Sequence, residues 1–347
     1  MAPERKPGHH VRTLTLFAAA AGVAAGIAIE RSHLRSLTND PDYERLSASL
    51  DGRPAMAESP DGTLLHVETF GPDDGPSVLL AHGWTEQLRF WGPVIRLLRE
   101  RGLRVIAYDL RGHGKSGRAP TRDYSLERFG DDMEAVLTAT VPEGTLATVA
   151  GHSLGAMSIA AWAQRYDVQA RSRAAVMINT GLGDLIAANL LVTGVASRLI
   201  SPRIGRAVLG SAAPVPSFSS PLAHAAIRFI AFGPTATGGQ VAFYERMLIE
   251  CPADVRGAVG LALAEMDLYP AVARLTVPTL VIAGDSDRLT PAASADRIVS
   301  ALPIPAGLIE LERTGHMSPL ERPERLSNAI AQLVSDTAGA AGVASVA

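Results

Sequence analysis

Cysteine is almost absent from the sequence, and an excess of positive charge is missing altogether. Cys251 is the only cysteine among 347 residues, which excludes an intrachain disulfide and a metal cluster held by several thiolates. We interpret it as a structural residue. The formal net charge is −3, and no block of Lys and Arg interrupts the body of the chain. Nucleic acid is therefore not expected as a partner.

Motifs that bind a dissociable group are also missing. The sequence has no P-loop, no dinucleotide fingerprint and no ligand spacing typical of a metal site. We therefore expect neither a cofactor nor a metal. With 47% hydrophobic and 19% charged residues, the composition is that of a globular protein with a sizeable core. The oligomeric state stays open.

A long uncharged run occurs near the N-terminus, over residues 13–29. As a helix it would be roughly 25 Å long, slightly short of a hydrocarbon core. We favour a membrane anchor, which implies membrane association and a membrane-anchored protein. A cleaved signal peptide of a secreted protein, and an apolar helix packed on the body of a cytoplasmic one, stay open. Residues 36–57 are polar and predict a tether, so that 1–57 precede the folded body.

From Glu58 onward, short apolar runs alternate with longer stretches of helical spacing. The runs that predict strands are 64–70, 77–82, 104–109, 146–151, 175–179, 279–284 and 308–312. Because such runs suit strands buried on both faces, the alternation predicts an α/β fold. We expect a mostly parallel central sheet with helices on both faces.

The alternation stops between residues 183 and 265, where Ala- and Leu-rich helical stretches replace it. An insertion of this length predicts a helical cap over 183–265. The core is then formed by 58–182 and 266–335. Residues 336–347 contain few large apolar side chains, and we expect them to form a disordered tail.

One serine, Ser153, lies where an apolar run ends and a helical pattern begins. Gly151 and Gly155 flank it in Gly-His-Ser-Leu-Gly, and small residues there allow a sharp turn between strand and helix. A serine hydroxyl needs a base to become a nucleophile at neutral pH. Without a base and an orienting acid after other strands, the motif would be an ordinary glycine-containing loop between a strand and a helix.

Such partners are expected beyond the carboxyl ends of the strands, where reactive groups of an open parallel sheet collect. Of nine histidines, His316 follows the last predicted strand, and we expect it to be the base. Asp285 and Asp287 both follow strand 279–284. Asp285 could hold the turn, whereas Asp287 lies further out, and we favour Asp287 as the acid that orients the base.

Two backbone amides are predicted to stabilise an oxyanion. Leu154 directly follows the nucleophile at a helix N-terminus, where the helix dipole favours negative charge. The second amide is expected in the loop after 77–82, where Gly83 allows a tight turn and Trp84 is our candidate. We interpret His82, in the same loop, as a structural hydrogen-bonding residue.

Five motifs, taken together, resemble the α/β-hydrolase superfamily over residues 59–334. They are, in chain order, HGW, YDLRGHGKSG, GHSLG, GDSDRLTP and GHMSPLERP. The order serine, acid, histidine is also that of α/β-hydrolases. The resemblance implies an α/β-hydrolase fold with an inserted cap, and a structural role for Asp109 and Arg111 in the turn after the fourth strand. The apolar N-terminus is similar to that of membrane-anchored bacterial members.

The resemblance implies attack of Ser153 on a carbonyl, giving an acyl-enzyme that water cleaves. His316 would take the serine proton, and Asp287 would fix its tautomer. A serine at this position argues against the haloalkane dehalogenase and epoxide hydrolase branches. We expect a small-molecule carboxylic ester, apolar or acyl-bearing because the cap is rich in apolar residues. Amide, lactone, C–C bond and peracid chemistry stay open, as does a ligand-binding sensor on the same scaffold.

Overall fold

The centre of the fold is a sheet of eight strands in the order β1-β2-β4-β3-β5-β6-β7-β8. It is seen in a computed structural model, which describes residues 32, 39–185, 202–213 and 220–344. The strands are β1 Arg53–Glu58, β2 Leu64–Phe70, β3 Ser77–Ala81, β4 Arg104–Tyr108, β5 Ala147–His152, β6 Ser172–Ile178, β7 Thr279–Gly284 and β8 Pro305–Leu311.

Helices connect the strands. They are α1 Pro41–Ser47, α2 Gly92–Glu100, α3 Leu126–Thr140, α4 Leu154–Arg165, α5 Pro202–Leu209, α6 Pro221–Ala231, α7 Gly238–Glu250, α8 Ala253–Glu265, α9 Tyr269–Val272, α10 Ala292–Ala301, α11 Ser318–Glu321 and α12 Pro323–Ala344. Short 3₁₀ turns cover Leu88–Trp91 and Val168–Ala170.

Strands β3 to β8 are parallel, whereas β1 and β2 pair antiparallel at one side of the sheet. Every residue of β5 and of β7 is buried, which explains their continuous apolar sequences. The prediction of a mostly parallel α/β fold is confirmed. Because the parallel strands run in one direction, the loops at their carboxyl ends meet along one edge of the sheet.

Alternating side chains of β3 to β7 enter two apolar clusters, one on each face of the sheet. Leu79 of β3 packs in the cluster that contains Trp162 of α4. Its neighbour Leu80 packs in the other cluster, with Trp91 before α2. Burying such a side chain stabilises the fold by roughly 1.5–3 kcal/mol. The two clusters therefore fix the sheet, and with it the positions of the loops at its edge.

The strand pattern is interrupted between β6 and β7, where α5 to α8 lie within the predicted cap. An isolated antiparallel bridge joins Gly183 to Asp267, so the two ends of this insertion are held together. Helix α7 begins with a capping box in which Thr237 and Gln240 satisfy each other's backbone amides. The division into core and cap as separate domains stays a prediction.

The N-terminal region differs from the predicted tether over 36–57, and the body does not begin at residue 58. Helix α1 buries Leu46, and Asp40 at its start accepts the amide of Gly239 on α7 at 3.0 Å. Strand β1 begins at Arg53 and pairs with β2 over its whole length. An edge strand needs backbone pairing more than large buried side chains, and so this short, mostly exposed stretch did not indicate a strand.

The predicted anchor over residues 13–29 lies outside the described residues and stays a prediction. In the described part of the chain, no helix is both long enough and apolar enough to cross a bilayer.

The predicted disordered tail, 336–347, is wrong for residues 336–344. Helix α12 runs on to Ala344, and Thr337 donates from its hydroxyl to the Leu333 carbonyl at 2.7 Å. Alanine has the highest helix propensity. The Ala-rich sequence therefore continues the helix although it offers little to a core.

Candidate active site

Ser153 lies on a sharp turn between β5 and α4, with φ 50° and ψ −115°. This left-handed conformation is strained for a residue with a side chain. A Cβ on Gly151 would lie 2.3 Å from the carbonyl carbon of Gly155, and one on Gly155 would lie 2.1 Å from the Ala81 oxygen. Helix α4 thus lies too close to β5 at Gly151, and too close to β3 at Gly155, for any residue but glycine at these positions.

His316 and Asp287 form a buried hydrogen-bonded pair at the ends of β8 and β7. His316 Nδ1 donates to Asp287 Oδ2 at 2.8 Å. The other carboxylate oxygen accepts the amides of Leu289 and Thr290 at 2.8 and 2.9 Å. The Thr290 hydroxyl donates to Asp287 Oδ2 at 2.8 Å. With the proton on Nδ1, the lone pair of His316 lies on Nε2.

The charges of the pair shift both pKa values in the direction of an ion pair. Burial alone would lower the pKa of His316, but the charge and hydrogen bond of Asp287 raise it above its ordinary value. Burial alone would raise the pKa of Asp287, yet His316 and the hydrogen bonds hold it below its ordinary range. Both directions stabilise an imidazolium next to a carboxylate.

Asp285 has a different environment, although it is only two residues away. Its carboxylate is exposed and accepts the amides of Arg313 and Thr314 at 2.8 and 3.1 Å. Although burial works in the opposite sense, these hydrogen bonds hold the pKa of Asp285 below its ordinary value. Asp285 therefore fixes the turn that leads from β8 to His316 and makes no contact with the imidazole.

The contact between serine and histidine is not formed. No hydrogen bond joins Ser153 Oγ to His316 within the described ranges, whereas the ring of His152, next to Ser153 in the chain, is centred 4.9 Å from the His316 ring. Such contacts are often long or misaligned before substrate binds. The structure thus brings His316 and Asp287 together and places Ser153 on the adjacent loop.

The two amides predicted to stabilise an oxyanion have no acceptor among the described residues. Leu154 N–H lies at the first residue of α4, and Trp84 N–H lies in the loop after β3. Both loops are at the carboxyl edge of the sheet, because β3 and β5 are parallel neighbours. Two unpaired N–H groups at this edge are what a developing negative charge requires.

The direction of the Trp84 amide is fixed through the carbonyl of the same peptide group. The Gly83 oxygen accepts from His82 Nδ1 at 2.8 Å and from the Glu86 amide at 3.3 Å. His82 Nε2 accepts the Leu110 amide at 2.9 Å, so its proton is on Nδ1. Burial holds the pKa of His82 well below its ordinary value, which keeps the ring neutral. Because a peptide group is planar, holding its oxygen also holds its N–H.

Asp109 and Arg111 hold the loop after β4. Asp109 accepts the amides of Leu88 and Lys115 at 2.7 and 2.8 Å, which joins two loops. Arg111 is fully buried and makes a two-armed bond with Asp132, at 2.7 and 2.6 Å. Such bonds between planar charged groups fix orientation. Neither residue contacts Ser153 or His316.

The sequence analysis missed four polar residues of this region: Glu86, Asn179, Thr290 and Glu321. Asn179 donates from Nδ2 to Asp287 Oδ2 at 2.9 Å and to the Gly315 oxygen at 3.2 Å. Glu321 accepts the amides of Gly233 and Gly315 at 2.9 and 3.0 Å, and burial raises its pKa to about 7. Each of these four residues lies in or just after a motif or strand named in the sequence analysis. This position was the signal that could have indicated a role at the site.

No group of three or more His, Cys, Asp and Glu side chains within the described ranges could hold a metal ion. Burial raises the pKa of Cys251 to about 12. Its thiol is therefore protonated near neutral pH and unsuited to act as a nucleophile.

Residues 78–329 match the model of the alpha/beta hydrolase family. The chain belongs to this family. It is similar to "Putative carbamate hydrolase RutD" of Variovorax paradoxus, with 30% identity over 247 residues, 69% of this chain and 84% of that protein. The predictions of an α/β-hydrolase fold and of a hydrolase are confirmed.

Other similarities cover less of the relative or show the fold alone. "Probable oxidoreductase EphD" of Mycobacterium bovis and Mycobacterium tuberculosis is 36% identical over 105 residues, 30% of this chain, and the chain spans 17% of that protein's length. An esterase from Exiguobacterium antarcticum superposes with a TM-score of 0.68 at 19% identity, covering 82% of this chain and 100% of that chain. This last similarity shows a shared fold.

Proposed function

We propose that this alpha/beta hydrolase cleaves a small-molecule carboxylic ester with Ser153 as nucleophile, His316 as base and Asp287 as the residue that orients the base. The observation that carries the proposal is the buried hydrogen bond of 2.8 Å between His316 and Asp287, with His316 Nε2 left to accept a proton. The strained turn that presents Ser153 lies on the adjacent loop.

In the proposed reaction, Ser153 Oγ attacks the ester carbonyl carbon while its proton passes to His316 Nε2. The carbonyl oxygen becomes an oxyanion that the Trp84 and Leu154 amides stabilise. The imidazolium gives the proton to the leaving alcohol, and an acyl-enzyme remains. Water then attacks the acyl carbon with His316 as base, and Ser153 leaves with the proton. Asp287 keeps the imidazole in one tautomer and compensates its charge.

An ester substrate is supported by the serine on the strained turn after β5 and by the related proteins that carry hydrolase names. An apolar acyl group is supported by the composition of residues 183–265, which are rich in Leu, Ala, Val, Ile and Phe. Apolar side chains line most pockets that bind small molecules. Ester chain length is therefore the first variable to measure.

The test is turnover of p-nitrophenyl esters from acetate to decanoate by the wild type and by Ser153→Ala. We expect Ser153→Ala to reduce kcat by on the order of 10⁴-fold or more with an unchanged melting curve. Ser158→Ala is the matched control, because its hydroxyl donates to the Leu154 carbonyl inside α4. Full turnover by Ser153→Ala, or a wild type that cleaves an amide, carbamate or lactone panel but no ester, contradicts the proposal.

A further inference from the structure

A second carboxylate–imidazole pair, formed by Glu86 and His152, lies beside His316 and has no part in the proposed reaction. Glu86 is 1% exposed and His152 is fully buried. His152 Nδ1 lies 3.0 Å from Glu86 Oε1 and 3.1 Å from Oε2. Burying two such groups is unfavourable unless their hydrogen bonds are satisfied. The hydrogen bonds of Glu86 and His152 show which loops the pair keeps in place.

Glu86 holds the loop that carries the predicted oxyanion amide. Its Oε2 accepts the Gly83 amide at 2.5 Å, and its own amide donates to the Gly83 oxygen. A Cβ on Gly83 would lie 2.9 Å from both Glu86 Oε2 and His152 Nδ1, so the peptide packs directly against the pair. Both polar groups of Gly83 are thereby fixed, and the peptide that ends in the Trp84 N–H cannot rotate independently.

His152 holds the loop of the base. Its Nε2 donates to the backbone oxygen of His316 at 2.8 Å, and the two rings are centred 4.9 Å apart. His152 also precedes Ser153 directly in the turn after β5. The Glu86–His152 pair therefore connects three loops, those after β3, β5 and β8, which carry the oxyanion amide, the nucleophile and the base.

The hydrogen bonds of the pair are what join the three loops. A backbone oxygen can only accept, so His152 Nε2 donates to the His316 oxygen. Glu86 contacts His152 Nδ1 and accepts the Gly83 amide. A side chain at position 86 that accepts from Gly83 and donates to His152 Nδ1 would keep these contacts, so hydrogen bonding can be tested apart from the carboxylate.

We propose that Glu86 and His152 are positioning residues that set the distance between the Trp84 amide and the His316 imidazole across the turn that carries Ser153. This proposal rests on the proposed function of Ser153. Misplacing a reacting group by about 1 Å can reduce a rate by about 10²-fold, and losing one oxyanion donor by about 10²–10³-fold. The loss should appear in kcat, because both groups act on the transition state.

Three variants test the proposal with a p-nitrophenyl ester. Glu86→Ala releases Gly83 and His152, and we expect kcat to fall by on the order of 10²-fold with KM within about threefold of the wild type. Glu86→Gln can still accept the Gly83 amide and donate to His152 Nδ1, so we expect kcat within about fivefold of the wild type. The double variant Glu86→Gln, His152→Phe removes the bond to His316 and leaves no buried charge. Its kcat should be about tenfold or more below that of Glu86→Gln.

Glu134→Ala is the matched control, because Glu134 accepts the Trp162 indole N–H at 2.7 Å on the helices away from the site. We expect it to lower the melting temperature and to leave kcat unchanged. If Glu86→Ala does not fold, the double variant decides, since it keeps an aromatic ring at position 152.

Wild-type kcat in folded Glu86→Ala, or in the double variant, overturns the positioning proposal. An equal loss in Glu86→Gln and Glu86→Ala also overturns it, because charge rather than hydrogen bonding would then matter. The rate of fluorophosphonate labelling of Ser153 should fall in parallel with kcat. An active Ser153→Ala enzyme would refute the proposed function, whereas an inactive one beside unaffected Glu86 variants would refute the positioning role alone.

Discussion

At the residue scale, Asp285 and Asp287 have different surroundings at the end of β7. Asp287 is 1% exposed and its carboxylate binds the imidazole of His316, whereas the exposed carboxylate of Asp285 binds backbone amides. A buried orienting carboxylate determines which nitrogen of the base is protonated. A carboxylate on a turn determines the path of the backbone. Removing the charge of Asp287 should therefore affect mainly kcat, whereas removing the charge of Asp285 should affect mainly stability.

We expect Asp287→Asn to reduce kcat by about 10⁴-fold in a folded protein, as in the protease precedent for an orienting acid. Asp285→Asn should reduce stability by about 1–2 kcal/mol, because its bonds to amides weaken, while much of the activity remains. Steady-state kinetics and melting curves of both variants separate these effects. If Asp285→Asn silences the enzyme and Asp287→Asn does not, the acid is Asp285.

The raised pKa of His316 predicts a pH dependence. Only the neutral imidazole can accept the serine proton, so kcat/KM should fall as the pH decreases through the pKa of His316. Because Asp287 raises that pKa above the ordinary value of 6.5, the inflection should lie above 6.5. Asp287→Asn should move the inflection to lower pH. An inflection below 6.5 in the wild type would contradict the assignment.

Glu321 supplies the control for this profile, because its pKa of about 7 lies in the same range. Its carboxylate binds backbone amides and no reacting group. Glu321→Gln should therefore keep the acid-side inflection, at a somewhat lower pH because the charge of Glu321 contributes, less than Asp287 does, to the raised pKa of His316.

At the element scale, the close packing of α4 against β5 and β3 depends on two positions without side chains. A Cβ of Gly155 would collide with the Ala81 oxygen of β3. Because Gly155 has no side chain, the helix can start directly against the sheet, with the Leu154 amide and Ser153 at its N-terminus. An atom added at Gly155 must separate α4 from β3 and so displace both of these groups.

We expect Gly155→Ala to destabilise the fold by about 1–3 kcal/mol, as overpacking does, and to reduce kcat strongly in the folded fraction. Gly144→Ala is the control, because no atom lies within 4 Å of its added Cβ and only its positive φ of 77° disfavours it. It should cost about 1 kcal/mol and leave kcat unchanged. Chemical unfolding and kinetics on both variants check this, and equal kcat in both would argue against close packing of α4 on β3.

At the scale of the whole molecule, the N-terminal elements of the described chain are bound to two different parts of the structure. Helix α1 contacts α7 in the predicted cap, through Asp40 and the Gly239 amide. Strand β1 extends the sheet beyond β2 with six paired residues. These elements therefore contribute to stability although most of their side chains are exposed.

Deleting residues 1–58 should consequently lower the melting temperature more than deleting residues 1–38. The first deletion removes α1, β1 and the buried Leu46, a side chain worth roughly 1.5–3 kcal/mol. The second leaves them in place. A difference of about 5 °C or more between the two melting curves is expected. Identical curves would mean that the two elements do not stabilise the body.

Burial of the strands and their order in the sheet explain which features could be predicted from the sequence and which could not. Strands buried on both faces, such as β5 and β7, are continuous apolar runs and were predicted. Asp287 follows β7, whereas His316 follows the partly exposed edge strand β8, whose run 308–312 was also predicted. The structure joins these two expected partners. Strand β1 is mostly exposed and has no such run. The bond between Glu86 and His152 joins residues 66 apart in the chain, and it depends on the sheet order that places β3 beside β5.

The central claim is that Ser153 is a nucleophile activated by the His316–Asp287 pair. The most direct measurement is labelling of the native protein with a fluorophosphonate, followed by mass spectrometry of its peptides. We predict one adduct, on Ser153, in the wild type, and a much slower reaction in Asp287→Asn because the base is misoriented. An adduct on Ser158 or on Ser116, whose hydroxyl donates to the Asp109 carbonyl in the loop after β4, would contradict the account. So would the absence of an adduct on a protein that turns over esters.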